Sequence, residues 1–174
     1  MSEKRFLPCI NVRWWNAEAA YAVNLARGLL AKGYPVWMIV NHDSPVQKKA
    51  QKHGIPVVTD IKLDAMSPLA HFFNLRKILR LIDTHDIQLI NSFKSNGSFL
   101  FSLARRLRPH LTYIKTRGEA RAPGKHFANR FLYGAGACDG IIAVGSPVKL
   151  WLQDLGLIGQ RLAVVHYGES SVTR

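Results

Sequence analysis

Residues 19–40, AAYAVNLARGLLAKGYPVWMIV, hold a helix, a turn and a strand in one short run. Ala22, Leu25, Ala26, Leu29 and Leu30 recur at the i, i+3, i+4, i+7, i+8 spacing of an amphipathic helix, and Asn16 just upstream is a residue type that caps a first turn. Gly33 suits the left-handed position past a helix end, and Pro35 prevents the helix from continuing. Residues 36–40 then run apolar without alternation, as a strand covered on both faces does.

The same alternation extends outward in both directions. Apolar runs of strand length lie at residues 6–12, 55–58, 87–90, 111–114, 141–144 and 162–165. Leu75, Ile78, Leu79 and Ile82 mark a helix opened by Ser67-Pro68, and Leu100, Leu103, Ala104 and Leu107 mark another. Val148, Trp151, Leu152 and Leu155 mark a further one, opened by Ser146-Pro147 and closed by Gly156. Fully apolar strands alternating with helices predict an α/β domain: a doubly wound, mostly parallel, Rossmann-like sheet of about seven strands with helices on both faces. Residues 1–168 read as that one domain, and residues 169–174, with Ser170, Ser171 and Thr173, as the start of a linker.

At 174 residues and 48% hydrophobic content the chain can bury a real core. Its charge is unusual: 24 basic against 11 acidic side chains leave +13, which points to an anionic partner. Nine basic residues against one acid, Glu119, fall between Lys94 and Arg130. Cys9 and Cys138 fit neither a disulfide framework nor a paired metal motif, so a reduced, cytoplasmic setting is expected and no metal site. Residues 1–5 are polar, and no apolar stretch is long enough for a signal sequence or a membrane span.

In an open α/β sheet, ligands gather outside the carboxyl ends of the strands. The residues expected there are Arg13 to Asn16, Asn41 to Asp43, Ser92 to Gly97, Thr116 to Glu119, Gly145-Ser146 and Tyr167 to Glu169. Amides and hydroxyls suit sugar hydroxyls, indole rings suit sugar faces, and cations with helix N-termini suit phosphate. The substrate-binding candidates are therefore Trp14, Trp15, Asn16, Lys94, Ser95, Asn96, Arg117, Gly118, Arg121, Tyr167 and Gly168. Turns and caps use these residue types too, and Asn16 is expected to serve as a cap. Arg117 and Arg121 are placed in a loop past a strand, where a guanidinium can fork onto a phosphate or carboxylate. Arg105, Arg106 and Arg108 are expected to be solvated charges at a helix end. His42 and His166 stand at strand exits as acid or base candidates, and no catalytic residue is assigned. Gly134, Gly136 and Gly140 do not form a dinucleotide fingerprint, because they follow a helix and precede a strand.

Taken in order, these elements resemble the N-terminal domain of a GT-B-fold glycosyltransferase, most like the retaining family 4 group. The resemblance rests on residues 19–40, on Ile87-Gln88-Leu89-Ile90-Asn91, on Tyr113-Ile114-Lys115-Thr116-Arg117, on residues 138–146 running into Pro147, and on residues 162–169. It departs from the family where Trp14-Trp15-Asn16 replaces a Gly-Gly pair, where Thr116-Arg117-Gly118 replaces a histidine, and where Gly168-Glu169-Ser170 replaces Gly-Val-Asp. Arg117 would then act as an anion clamp, since an arginine cannot shuttle protons.

The resemblance implies an acceptor-binding domain. Its glycan or lipid-linked acceptor would belong to the cell envelope, and its nucleotide-sugar co-substrate would be held mainly by a C-terminal donor domain that this sequence lacks. It implies no other cofactor, little or no turnover alone, and work on the cytoplasmic side, peripheral to an anionic inner-membrane surface. Two other readings stand beside it: a basic nucleic-acid-binding module, supported by charge alone, and a free-standing Rossmann-type regulatory domain.

Overall fold

The structure, a computed structural model, describes residues 4–118, 136–154 and 161–166. Seven strands form one sheet: β1 Phe6–Ile10, β2 Met38–Val40, β3 Val57–Val58, β4 Leu89–Ser92, β5 Thr112–Arg117, β6 Gly140–Ala143 and β7 Arg161–Val164. Their spatial order is β3-β2-β1-β4-β5-β6-β7, and every pairing is parallel. The chain leaves β1 toward β2 and β3, then returns to build β4 to β7 on the other side. The winding reverses between β1 and β4, and this switch point is where such a sheet opens a crevice.

The described helices are α1 Ala17–Ala31, α2 Pro45–Lys52, α3 Pro68–His85, α4 Ser98–Leu107 and α5 Ser146–Asp154. They divide between the two faces, as alternation along the strands requires. Leu7 and Cys9 of β1 and Ile39 of β2 pack with Ile78, Ile82, Phe101 and Leu152 of α3, α4 and α5. Ile10, Met38 and Val40 point the other way, onto Ala19, Ala22 and Ala26 of α1 and Val46 and Ala50 of α2. The seven-stranded, doubly wound α/β expectation is met.

α1 starts and stops as its residues dictate. The Asn16 side chain accepts a 2.8 Å hydrogen bond from the Ala19 N–H. Gly33 takes φ +85° and donates its N–H to the Leu30 carbonyl, closing the last turn. β1, β2 and β3 are shorter than their apolar runs, and two further elements differ from expectation. α2 was not anticipated, although Ser44 caps it through the Gln47 N–H and Pro45 occupies its first turn. β5 runs three residues further than expected, because Thr116 and Arg117 pair with Ile142 and Ala143 of β6. Arg117 is therefore the last strand residue and is held by a ladder on a central strand.

The basic run also proves to be two populations. Arg105 and Arg108 are not solvated helix-end charges. The Arg105 guanidinium grips Asp139 through Nε at 2.6 Å and through Nη2, and Arg108 grips Asp83 of α3 at 2.6 Å through both Nε and Nη2. Asp139 also accepts the Tyr113 N–H at 2.9 Å, which ties α4 to β5 and to the entry of β6. Burial works to raise the Asp139 carboxyl, but the Arg105 and Tyr113 donors outweigh it and hold the carboxyl below its usual range. Asp139→Ala is expected to cost about 2–3 kcal/mol, the scale of hydrogen bonds to a charged group. A carboxyl held low contributes stability above its unfolded pKa and loses it as pH falls through the folded value. Urea titrations of wild type and variant should therefore differ most at neutral pH and converge in acid.

Candidate functional site

At the switch point a narrow cleft is lined by Glu18, Ser92, Phe93, Lys94, Ser95, Lys115, Thr116 and Arg117. These residues come from the first turn of α1, the end of β4 with its exit loop, and the end of β5. In-register pairing explains the convergence, since Ser92 of β4 stands opposite Lys115 of β5, and Cys9 of β1 stands opposite Ser92. Three cationic side chains and one carboxylate thus line the cleft at the carboxyl edge of β4 and β5.

Lys94 lies on Glu18, Nζ to Oε2 at 2.7 Å, and only 8% of the Glu18 side chain is exposed. Lys115 is more unusual, with 3% exposure. Burial pushes its amine down to about 8, the nearby Arg117 charge pushes the same way, and Cys138 partly offsets both. Burial in turn raises the Cys138 thiol. The Asn91 side-chain oxygen accepts the Thr116 hydroxyl at 2.9 Å, and the Ser92 and Tyr113 hydroxyls share a 2.9 Å hydrogen bond beneath the cleft. Burial takes the Tyr113 phenol far above its ordinary value, against the lowering pull of the Ser92 hydrogen bond, so it stays neutral.

The exit loop is shaped by Gly97, which caps α4 at φ +78°. A Cβ there would stand 2.7 Å from Leu63 Cδ2. Lys94, Ser95 and Asn96 are thereby held in a turn that only a residue without a side chain completes comfortably.

The structure brings Lys94, Ser95 and Arg117 together and separates them from several other candidates. Trp14 and Trp15 are exposed, and Trp15 turns toward α2, where Lys49 Nζ sits 3.9 Å from its ring centroid. Asn16 serves as the α1 cap. Asn96 is exposed, and Gly118 follows Arg117 directly. Arg121, Tyr167 and Gly168 lie outside the described residues. Sequence reasoning did not single out Lys115 or Glu18. The signal for Lys115 was a charged residue inside an otherwise buried strand.

A second, wider cleft of about 470 Å³ opens past β1, β2 and β3, lined by Arg13, Asn41, His42, Asp43, Ser44, Thr59, Ile61, Lys62 and Asp64. Arg13 meets Asp64 across it at 3.4 Å, and His42 lies 2.8 Å from Asp43. Among the described residues no group of three His, Cys, Asp or Glu side chains is placed to hold a metal ion. The narrow cleft encloses about 20 Å³ and sets Lys94, Lys115 and Arg117 in one lining with Glu18, so the charge it presents is net positive.

No curated protein matches the sequence. Solved structures share the fold at low identity. A glycosyltransferase from Rickettsia africae ESF-5 superposes with a TM-score of 0.79 at 15% identity, over 95% of this chain and 43% of that one. The lipopolysaccharide outer core galactosyltransferase WaaB, in its apo form, gives 0.73 at 14% identity over 97% of this chain and 47% of its own. A UDP-GlcNAc 2-epimerase from Neisseria meningitidis bound to UDP-GlcNAc gives 0.63 at 13% identity, over 92% and 46%. The chain thus spans about half the length of each, and the shared fold covers more than one chemistry. The model of the family described as Glycosyltransferase Family 4 matches residues 19–168, nearly the whole chain, and with the parallel seven-stranded sheet of a GT-B N-terminal half it shows that this chain belongs to that family.

Proposed function

We propose that the chain is the acceptor-binding half of a glycosyltransferase, and that the cleft at the β1/β4 switch point receives a phosphate or carboxylate carried by the acceptor. The observation that carries this reading is the convergence of Lys94, Lys115 and Arg117 around the buried Glu18. A lysine this deeply buried at a cleft is the kind of perturbed group that marks a functional site. Lys94 is oriented by Glu18, Lys115 presents its amine from the floor, and Arg117 lies on the strand ladder. Together they fix one end of the acceptor so that a sugar hydroxyl is directed out of the cleft toward the donor.

The donor is a nucleotide sugar, held mainly by a second domain of similar size. Transfer then depends on positioning across both halves, and this half alone turns over little or nothing. The acceptor class that fits is a cell-envelope or lipid-linked glycan used at the cytoplasmic face of the membrane. The likeness to WaaB, a lipopolysaccharide outer core galactosyltransferase, supports that class. In the enzyme carrying both domains, Arg117→Ala and Arg121→Ala are each expected to raise KM for a phosphorylated acceptor roughly 10- to 100-fold, the loss of a charge-assisted hydrogen bond. The dephosphorylated acceptor should be used equally by wild type and variants. Unchanged kinetics in both variants on the phosphorylated acceptor would remove the anion clamp from this reading.

A further inference from the structure

The carboxyl edge of the sheet carries two clefts, and they differ in size and in charge. The wide one past β1, β2 and β3, at about 470 Å³, falls within the roughly 300–1,000 Å³ of small-molecule pockets. Two cations in its lining, Arg13 and Lys62, are matched by two carboxylates, Asp43 and Asp64, whereas the narrow cleft sets three cations against one carboxylate. A lining of balanced charge selects no ionic guest. It does hold strong donors beside strong acceptors: Arg13 meets Asp64 at 3.4 Å, His42 meets Asp43 at 2.8 Å, and Asn41 and Thr59 add an amide and a hydroxyl. A neutral polyol suits such a lining, because every hydroxyl both donates and accepts.

The walls of this cleft are pinned within the fold. On one side Ser44 Oγ donates to the Asn41 carbonyl at 2.7 Å, and the Asp43 N–H donates to Gln47 Oε1 at 2.8 Å, which fixes the turn between β2 and α2. On the other, the buried Asn74 of α3 grips Lys62 twice, accepting its N–H at 3.3 Å and donating to its carbonyl at 2.7 Å. Walls held in this way lose little freedom when a ligand enters. Trp14 and Trp15 continue directly from Arg13, with 65% and 37% exposure. Lys49 of α2 lies 3.9 Å from the Trp15 ring centroid, and α2 itself begins beside Ser44 in the cleft wall. Trp14 is therefore the more open indole, one residue from the lining. Aromatic faces pack on the C–H faces of sugar rings while polar groups nearby take the hydroxyls.

We infer that the wide cleft and the Trp14 indole form a second subsite, which takes an uncharged run of several sugar rings in the acceptor, so that the chain selects an oligosaccharide over a single phosphorylated sugar. This rests on the proposed acceptor role and specifies the acceptor's size. β1 and β4 are neighbours in the sheet, so the two clefts lie along one edge. An acceptor laid along that edge has its anion at Lys94, Lys115 and Arg117 and its neutral rings at Arg13, Asp64 and Trp14. Added neutral length then strengthens binding without any added charge.

The test titrates the full chain with the neutral tetrasaccharides maltotetraose, cellotetraose and lacto-N-tetraose, and with glucose, followed by the backbone amide resonances. At least one tetrasaccharide is expected to bind roughly tenfold or more tightly than glucose, shifting the amides of residues 13–16, 41–44 and 59–64 and leaving those of residues 92–97 and 115–117 in place. Trp14→Ala should weaken that binding roughly tenfold through the lost ring face, and Asp64→Asn by a similar factor through the lost charged acceptor. Trp14 is exposed and asparagine matches aspartate in volume, so both variants should melt close to the wild-type midpoint. Absence of binding by every tetrasaccharide would overturn the inference, as would binding that either variant leaves unchanged or shifts confined to residues 92–97 and 115–117. A hexose phosphate run alongside separates the two readings. If it shifts residues 92–97 and 115–117 while no tetrasaccharide binds, the second subsite fails and the anion cleft stands; if neither ligand binds, the acceptor reading fails with it.

Discussion

Replacing Lys115 by methionine is expected to stabilise the chain by about 2–3 kcal/mol and, in the same molecule, to weaken its grip on an anionic acceptor roughly 10- to 100-fold. The stabilisation follows from burial. An amine held near 8 in the fold and near its ordinary 10.5 when unfolded costs about one and a third kcal/mol for each unit of difference while it is charged. Methionine fills the same slender volume without the charge. The sign with pH is distinctive. The unfolded chain holds this proton between pH 8 and 10.5 while the folded chain does not, so the Lys115 contribution to stability rises across that window. Anion binding moves the opposite way, falling as the amine deprotonates above about 8. Cys138 and Arg117 lie close enough to perturb it, so the difference between wild type and Lys115→Met, taken at each pH by thermal melts and by binding, isolates this one group. A variant that is less stable than wild type, or one that binds an anion equally well, would show that Lys115 is an ordinary core residue.

Gly97→Ala should be nearly as damaging, in stability and function together. The residue sits at φ +78°, where a side chain costs roughly 1–2 kcal/mol, and an added Cβ would stand 2.7 Å from Leu63 Cδ2 and 3.3 Å from Leu63 Cβ. Forcing Leu63 to shift adds an overpacking cost of about 1–3 kcal/mol. Relief requires the turn from Lys94 to Asn96 to move, which displaces Lys94 from Glu18 and opens the cleft. Gly33→Ala is the control: its φ is +85°, yet nothing lies within 4 Å of the added Cβ, so only the backbone term applies. Chemical denaturation should place Gly97→Ala about 1–3 kcal/mol below Gly33→Ala by that overpacking term, with the loss of anion binding confined to Gly97→Ala.

Much of this fold is legible in the chain because its determinants are local. Asn16, the Ala22-to-Leu30 spacing, Gly33 and Pro35 settle α1 without reference to anything distant. Ser67-Pro68 and Ser146-Pro147 open α3 and α5 as expected. Ser44-Pro45 is the same signal, but α2 follows it with only Val46 and Ala50 buried in eight residues, too few for a visible period. The site was half legible. Lys94 and Arg117 stand at strand ends and could be found by looking there. Lys115 stands two residues inside the end of β5 and is masked by the basic residues around it in sequence. Arg105 and Arg108 were misplaced for the complementary reason: their partners, Asp139 and Asp83, lie 34 and 25 residues away, and only the fold brings those charges together. Trp14 and Trp15 leave the strand that borders the cleft, but the chain swings toward α2 before the Trp15 ring meets anything.

On the proposed reading, this half of the fold recognises the anionic part of an acceptor at Lys94, Lys115 and Arg117. Titration of the chain with a hexose phosphate and with the matching neutral hexose, followed by the backbone amide resonances, tests it most directly. The phosphate alone should shift the amides of residues 92–97 and 115–117, and Lys115→Met should abolish those shifts while the fold is retained. Equal responses to both sugars, or shifts confined to residues of the Arg13–Asp64 cleft, would contradict it.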